Sequence, residues 1–197
     1  MSRTLVRRHP WGPFSFTQLG LSLTELTLTL GIATTLSTAG VSGFQSLVAT
    51  NQVDTLVVSL RTSLTWARSE AIKRGQRVLL CRQDTAQGVC AGSGATGQRS
   101  WRYGWVVFVD ADNDRQLDLS QGDKLLQVFQ PLDPMQRLMW NRGDFIAYDD
   151  SGALGSLNGT FCVGHGSGDT ALQRELVLPH SGRLRTATTA CRYPLVL

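Results

Sequence analysis

The chain has 197 residues, of which 42% are hydrophobic and only 17% charged, a composition that excludes a disordered protein. Its formal net charge is +4, but three of the cations, Arg3, Arg7 and Arg8, precede the first apolar run. Without them, 16 cations face 15 anions and the net charge is +1. A global basic field that attracts nucleic acid is therefore not supported, and any such binding has to come from a local patch.

The first predicted element is a long apolar helix. Residues 21–48 carry one charge, Glu25, and about 20 apolar residues suffice to cross a bilayer as a helix. The arginines before it predict that the N-terminus stays in the cytoplasm and that everything after residue 48 is exported. A cleaved secretory signal would have a shorter apolar core without an acid. Glu25 needs an explanation, because a lone charge inside a bilayer costs about 2.5–3.5 kcal/mol.

The residues around Glu25 resemble a processing site. Gly20 precedes Leu21-Ser22-Leu23-Thr24-Glu25-Leu26, which resembles the start of type IV prepilins and type II secretion pseudopilins. The resemblance implies that residues 1–20 are a leader, that a prepilin peptidase cuts between Gly20 and Leu21, and that the amine of Leu21 is methylated. It also implies that Glu25 pairs with the amine of a neighbouring subunit in a filament. Pairing makes a carboxylate tolerable in a low-dielectric helix bundle.

Residues 49–75 are predicted to be the amphipathic half of the same helix. Gly75 is well placed as its C-terminal cap. Apolar residues recur there at three- and four-residue steps: Val53, Leu56, Val57, Leu60, Leu64, Ala67 and Ala71.

Residues 76–197 are predicted to be a β-rich domain, because short apolar runs are separated there by Gly, Asp and Asn. An antiparallel sheet packed on the amphipathic half-helix buries the apolar faces of both. The fold class is therefore α+β. The predicted strands are Val78–Arg82, Trp105–Asp110, Leu125–Phe129, Phe145–Tyr148, Thr160–Val163, Glu175–Leu178 and Arg183–Arg185.

Five phrases resemble the FimT/GspH minor pilins and occur in the same order. They are ARSEAIKR at 67–74, GWVVFVD at 104–110, DSG at 150–152, GTFC at 159–162 and SGRLR at 181–185. The resemblance implies a type IV pilin-like fold and a minor subunit of a type IV pilus or a type II secretion pseudopilus. The implied location is the inner membrane, crossed once, with the C-terminal domain in the periplasm and other pilins as partners. The phrases do not separate a pilus from a secretion machine.

Four cysteines follow the apolar segment, on the side that the charge pattern exports to an oxidising compartment. Three pairings are possible. We favour Cys81–Cys90, which closes a hairpin-like loop, and Cys162–Cys191, which pins the C-terminal tail to the sheet. Zinc is the alternative, but no C-x-x-C is present and a structural zinc site needs four well-spaced ligands. No cofactor is expected.

An acidic stretch resembles the opening of a calcium loop: Asp110, Asp112, Asp114 and Asp118. However, Arg115 stands where an EF-hand requires Gly, and Gln121 stands where it has a bidentate Glu. We therefore prefer a solvated turn without metal and keep calcium as the alternative.

Catalysis is not expected. Cys162, His165 and Asp169 could be a nucleophile, a base and an orienting acid, but their short Gly-rich spacing is more typical of a turn between strands. No G-x-S-x-G, H-E-x-x-H or Walker sequence is present. The chain is predicted not to be an enzyme.

Two functions remain, a structural filament subunit and a receptor for double-stranded DNA. Residues 174–197 carry a local charge of +3, since one acid accompanies the arginines Arg174, Arg183, Arg185 and Arg192. Some FimT proteins bind DNA through a Gly-Arg-x-Arg tail, and residues 182–185 match that pattern. Strand alternation predicts that Arg183 and Arg185 share one face and reach phosphates. The alternative is an ordinary edge strand protected by exposed arginines.

Overall fold

A computed structural model describes residues 20, 22–84, 90, 99–155, 157–187, 190–192 and 195, with residues 38–42 as backbone only. The chain divides into two compact units, Met1–Phe44 and Gln45–Leu197. The helix α1 spans Leu23–Arg74. The strands that follow are β1 Val78–Arg82, β2 Arg99–Ser100, β3 Trp105–Val109, β4 Lys124–Val128, β5 Gln136–Trp140, β6 Phe145–Tyr148, β7 Gly159–His165, β8 Arg174–Leu178 and β9 Arg185–Ala187.

The N-terminal unit, as far as it is described, is the start of α1. Its described side chains from residue 22 to 37 are all exposed, including the apolar Leu23 and Leu36. The Thr hydroxyls bond back to helix carbonyls, as Thr27 does to Thr24 at 2.9 Å, because such a bond satisfies the hydroxyl without leaving the helix. Among the residues described, no helix has the length and hydropathy of a membrane span. The leader arginines and Leu21 lie outside the described residues.

The second half of α1 has the predicted amphipathic face. Six of the seven predicted apolar positions are buried, and Val57 is partly buried. The helix ends as predicted at Gly75, which adopts φ 60°, a conformation that costs Gly little. Gln76 N donates to Ala71 O at 3.3 Å and Gly75 N to Ile72 O at 3.4 Å. These two bonds form a Schellman cap that satisfies carbonyls of the last turn.

The strands of the second unit form two antiparallel sheets. One has the order β4-β3-β1-β6, and the other has the order β2-β5-β7-β8-β9. The predicted runs at Val78–Arg82 and Phe145–Tyr148 are strands with those bounds. Strands β2 and β5 were not predicted. The last strand begins at Arg185, so the predicted strand Arg183–Arg185 is wrong in its bounds.

The buried face of α1 and both sheets contribute to one hydrophobic core. Trp101, Trp140 and Phe161 are each buried to 1% exposure or less. The ring of Phe161 meets Trp101 edge-on at 5.4 Å and Trp140 at 4.3 Å between centroids, and such aromatic pairs add to plain area burial. A second apolar cluster, around Leu79 and Phe108, covers the other face of the four-stranded sheet. This α+β arrangement confirms the predicted packing of sheet on helix.

Candidate functional sites

The predicted assembly residue Glu25 lies in the first turn of α1. Its neighbour Ser22 accepts the first helical bond, from Leu26 N at 3.0 Å. Among the described residues, the carboxylate of Glu25 has no hydrogen bond or ion pair, and its side chain is exposed. A carboxylate is favourable at a helix N-terminus because it complements the free N–H groups there. Gly20 is exposed, and the predicted cleavage partner Leu21 lies outside the described residues.

Both predicted disulfides form. Cys81–Cys90 has a Cα–Cα distance of 5.4 Å, and Cys162–Cys191 one of 5.6 Å. These bonds use every cysteine of the chain, so a zinc thiolate site is excluded. Cys162 is also not available as a nucleophile, because only a free thiolate attacks.

His165 and Asp169, which were considered with Cys162 as a catalytic set, each form hydrogen bonds with residues of the loop that follows strand β7. His165 Nδ1 meets Ser167 Oγ at 3.0 Å. Asp169 accepts from Ala171 N at 2.9 Å and so caps a short 3₁₀ helix. Their contacts are those of a turn between strands β7 and β8.

In the part of the chain that the structure describes, two of the four C-terminal arginines lie beside carboxylates, and two do not. Arg174 lies 3.7 Å from Asp54, measured from Nη2 to Oδ1. Arg192 Nε lies 3.8 Å from Oε1 of the buried Glu175. Arg183 and Arg185 are exposed, and among the described residues neither guanidinium group has a hydrogen bond or an ion pair.

Arg183 and Arg185 also do not share a strand face, contrary to the prediction. Arg185 pairs with Val177 in β9, at the edge of the five-stranded sheet, and Thr186 pairs with the buried Leu176. Alternation therefore directs Arg185 away from the core side. Arg183 precedes the strand and lines a groove beside α1.

This groove has a volume of about 180 Å³ and is rich in arginine. Its lining residues are Arg61, Leu64, Thr65, Arg68, Gly182, Arg183 and Leu184. Arg61 Nη2 donates to Thr186 Oγ1 at 2.6 Å, and Arg68 Nε donates to Gly152 O at 2.8 Å. None of the described residues that line the groove carries a carboxylate. We name it the arginine groove.

Gly182 shapes one wall of the arginine groove. It adopts φ 70°, and a Cβ there would lie 2.5 Å from Gly152 O. The hydroxyl of Tyr148 donates to Gly182 O at 3.4 Å. Tyr148 is almost fully buried, and burial raises the pKa of its hydroxyl because the charged form is disfavoured away from water. The glycine of the Gly-Arg-Leu-Arg phrase therefore has a packing role.

An acidic cluster follows strand β3, with a membership that differs from the predicted one. Asp110, Asp112, Asp114 and Asp123 each offer an oxygen atom, and these atoms lie within 4.8 Å of one another. Asp118 instead caps a 3₁₀ helix and accepts from Ser120 N at 2.8 Å and from Ser120 Oγ at 2.6 Å. These hydrogen bonds hold the pKa of Asp118 below its ordinary value. We name the four convergent residues the acidic cluster.

The arginine groove and the acidic cluster both contain residues that were not predicted from the sequence. Asp123 belongs to the acidic cluster, and the helix residues Arg61 and Arg68 line the arginine groove. A helical spacing of seven puts these two arginines on one face, so their mutual position was available from sequence. That this face meets the segment after Gly182 was not available from sequence, because the contact joins Arg61 to Thr186, which are 125 positions apart.

Comparison with known proteins identifies the family. The sequence profile of the family "Type II transport protein GspH" matches residues 57–182, which is more than half of the chain. No curated protein sequence matches significantly.

Two crystal structures of the type IV minor pilin FimU from Pseudomonas aeruginosa PAO1 are similar in fold. The P2₁ form is 15% identical, covers 72% of this chain and 94% of that chain, and has a TM-score of 0.55. The P6₅ form is also 15% identical, covers 71% and 97%, and has a TM-score of 0.52. At this identity the likeness establishes the fold. Together with the profile match, it shows that the chain belongs to the GspH family, the GspH/FimT type of minor pilin or pseudopilin.

Proposed function

We propose that the chain is a minor structural subunit that helps to initiate or cap a type II secretion pseudopilus or a type IV pilus. In this proposal the peptidase cuts after Gly20, the new amine of Leu21 is methylated, and α1 is drawn from the inner membrane into the filament core. Glu25 pairs with the terminal amine of a neighbouring subunit.

The observation that carries the proposal is the isolation of Glu25. It is the one charged residue among residues 21–48, and its exposed carboxylate has no partner among the described residues. The side chains around it are exposed and apolar, such as Leu23 and Leu28. An exposed apolar helix surface favours association with lipid or other helices, and a carboxylate within such surroundings needs a cation. The terminal amine of a neighbouring subunit would supply that cation.

The proposal is tested with Glu25→Ala in the full chain, expressed together with the filament machinery. The variant should be cut like the wild type, and the mass of its N-terminal peptide should begin at Leu21. Its amount in sheared filaments should fall by about tenfold or more, because the neighbour's amine is left unpaired in apolar surroundings, where a lone charge costs about 2.5–3.5 kcal/mol.

Glu70→Ala is the matched control. It makes the same substitution in the same helix, but Glu70 pairs with Lys73 and Arg74 inside the chain, so filament incorporation should be unchanged. Normal incorporation of Glu25→Ala, or a mature chain that starts elsewhere than Leu21, would contradict the proposal.

A second candidate function is capture of double-stranded DNA, and the arginine groove is the observation that favours it. Arg183 and Arg185 are exposed without a carboxylate partner among the described residues, and Arg61 and Arg68 add charge beside Arg183. Contacts of arginine with phosphate give sequence-independent affinity that falls steeply with salt. The net charge of +1 after the leader means that this local charge would carry the binding.

The DNA candidate is tested by a gel-shift assay with duplex DNA at low salt. Arg183→Gln/Arg185→Gln should abolish the shift that the wild type produces, because it removes two cations that would contact phosphates. Arg102→Gln/Arg142→Gln removes the same charge from two exposed arginines outside the groove and should leave most of the shift. A wild type that does not shift DNA at low salt would eliminate the candidate.

A further inference from the structure

The acidic cluster is a concentration of negative charge that the protein does not neutralise by itself. Four carboxylates bring oxygen atoms within 4.8 Å of one another. Like charges at this distance repel each other. Two of the four, Asp110 and Asp123, are also buried, where the repulsion is stronger because the dielectric is lower.

Asp110 is the most deeply buried carboxylate of the acidic cluster. Its side chain has 0% exposure, and its Oδ2 atom has no hydrogen-bond partner among the residues that the structure describes. Its Oδ1 atom receives one bond, from Arg115 N at the long distance of 3.5 Å. A buried carboxylate oxygen without a partner is rare in native proteins and is commonly explained by an unplaced ion or water.

The nearby arginines do not donate a hydrogen bond to Asp110 Oδ2. Arg77 Nε lies 3.6 Å from Asp110 Oδ2, beyond hydrogen-bonding distance, and Arg77 Nη1 donates instead to Asn113. The guanidinium of Arg115 stands 5.0 Å above the ring of Phe145. Among the described residues, Arg77 is therefore the one cation within 4.0 Å of a carboxylate of the cluster.

We propose that Asp110, Asp112, Asp114 and Asp123 bind one Ca²⁺ ion at the end of strand β3. Calcium takes six to eight oxygen ligands in flexible geometry, whereas magnesium demands a near-ideal octahedron and sheds its water reluctantly. A cluster of four carboxylates in a loop meets the first requirement. The exposed Asp112 and Asp114 provide the entry path and leave room for water ligands.

Asp123 completes the site because the chain folds back after Asp118. Its Oδ1 accepts from Ala111 N at 2.8 Å and its Oδ2 from Asp118 N at 2.9 Å. These two bonds orient the carboxylate towards the start of the loop. Each oxygen keeps a second lone pair for a metal. The site thus differs from an EF-hand, in which the closing acid stands at the twelfth position of the loop.

The test is a calorimetric titration of CaCl₂ into the purified full-length chain after removal of divalent ions with EGTA. The wild type should bind about one Ca²⁺ per chain, with a dissociation constant of about 10⁻⁴–10⁻³ M, the range of extracellular calcium modules. MgCl₂ should bind about tenfold more weakly or not at all. Calcium should also raise the midpoint of thermal unfolding of the wild type, since it binds the folded state.

The main variant is Asp112→Asn/Asp114→Asn, which changes two exposed residues and so spares the core. It should lose about tenfold or more in calcium affinity, and its thermal midpoint should no longer rise with calcium. Asp84→Asn is the matched control. Asp84 follows β1 at the end where Arg82 pairs with Trp105, whereas the cluster lies at the opposite end, where Val78 pairs with Val109.

Three results would overturn the proposal. The wild type could give no calcium heat up to about 10 mM, well above the affinity range of such sites. The double variant could bind calcium as well as the wild type does. Asp84→Asn could weaken binding as much as the double variant does, which would indicate diffuse attraction by surface charge.

Discussion

Gly182 is where the backbone of the Gly-Arg-Leu-Arg phrase is most constrained. We expect Gly182→Ala to lower the free energy of unfolding by about 1–2 kcal/mol for the left-handed backbone and by about 1–3 kcal/mol more for overpacking. The second contribution arises because the new Cβ would lie 2.5 Å from Gly152 O and 2.8 Å from the Tyr148 ring. Urea unfolding of the full chain measures the sum.

Gly168→Ala separates the two contributions. Gly168 has a similar φ of 75°, but nothing lies within 4 Å of a Cβ at that position. Gly168→Ala should therefore lower the free energy of unfolding by the backbone contribution alone, about 1–2 kcal/mol. Equal losses at Gly182 and Gly168 would show that the loop around Gly182 relaxes and that its close packing is not needed.

The acidic cluster shows how far single residues can be placed from sequence. The i, i+2 spacing of Asp110, Asp112 and Asp114 was sufficient to group them, because a short loop keeps alternate side chains close. It wrongly suggested Asp118, which caps the next 3₁₀ helix. Asp123 joins the cluster because Gly122, at φ 100°, reverses the chain after that helix. A turn of this kind depends on backbone angles that a spacing rule does not contain.

At the scale of elements, α1 was the most predictable part of the molecule, and its buried face can be tested. We expect Leu60→Ala to lower the free energy of unfolding by about 2–5 kcal/mol, the cost of a cavity in a core. Leu60 has 0% exposure, whereas Val58, two positions before it, has 61%. Val58→Ala should change the free energy of unfolding by less than about 0.5 kcal/mol.

The measurement is chemical denaturation of the full chain, followed by far-ultraviolet circular dichroism. Similar effects of Leu60→Ala and Val58→Ala would mean that the face opposite to the sheets also packs in solution. That result would contradict the division of α1 into a buried and an exposed side.

The strands were less predictable than the helix, and the failures have physical causes. Strand β5 was not predicted because it begins with the polar Gln136 and Arg137. Only three apolar residues follow them, which is too few to show a clear alternation. The last strand was placed two residues early because Arg183 follows Gly182 in a phrase that reads as extended. In the structure the φ of 70° at Gly182 marks a turn, and pairing with β8 starts only at Arg185.

At the scale of the whole molecule, the packing of β structure on a helix was predictable, and its division into two sheets was not. Alternation shows that a strand has a buried face, but it does not show which strand it pairs with. The division depends on long-range pairs such as Leu80 with Ile146 in one sheet and Met139 with Cys162 in the other. The aromatic cluster of Trp101, Trp140 and Phe161 then belongs to a core that both sheets share.

The two disulfides constrain chain segments of very different length, which predicts different effects on the stability of the whole domain. Cys81–Cys90 spans 9 positions and Cys162–Cys191 spans 29. In the chain-entropy account, closing these loops stabilises the folded state by about 2.6 and about 3.6 kcal/mol respectively. Cys162–Cys191 ties strand β7 to a segment near the C-terminus. Its removal should therefore be the more damaging.

We expect Cys162→Ala/Cys191→Ala to lower the free energy of unfolding by about 1 kcal/mol more than Cys81→Ala/Cys90→Ala does. The two pairs are a fair comparison because each includes one buried sulfur, Cys81 and Cys162, so their cavity costs are similar. Urea denaturation under non-reducing conditions measures the difference. An equal loss, or a larger one for Cys81–Cys90, would show that native packing around the sulfurs outweighs the entropy of the unfolded chain.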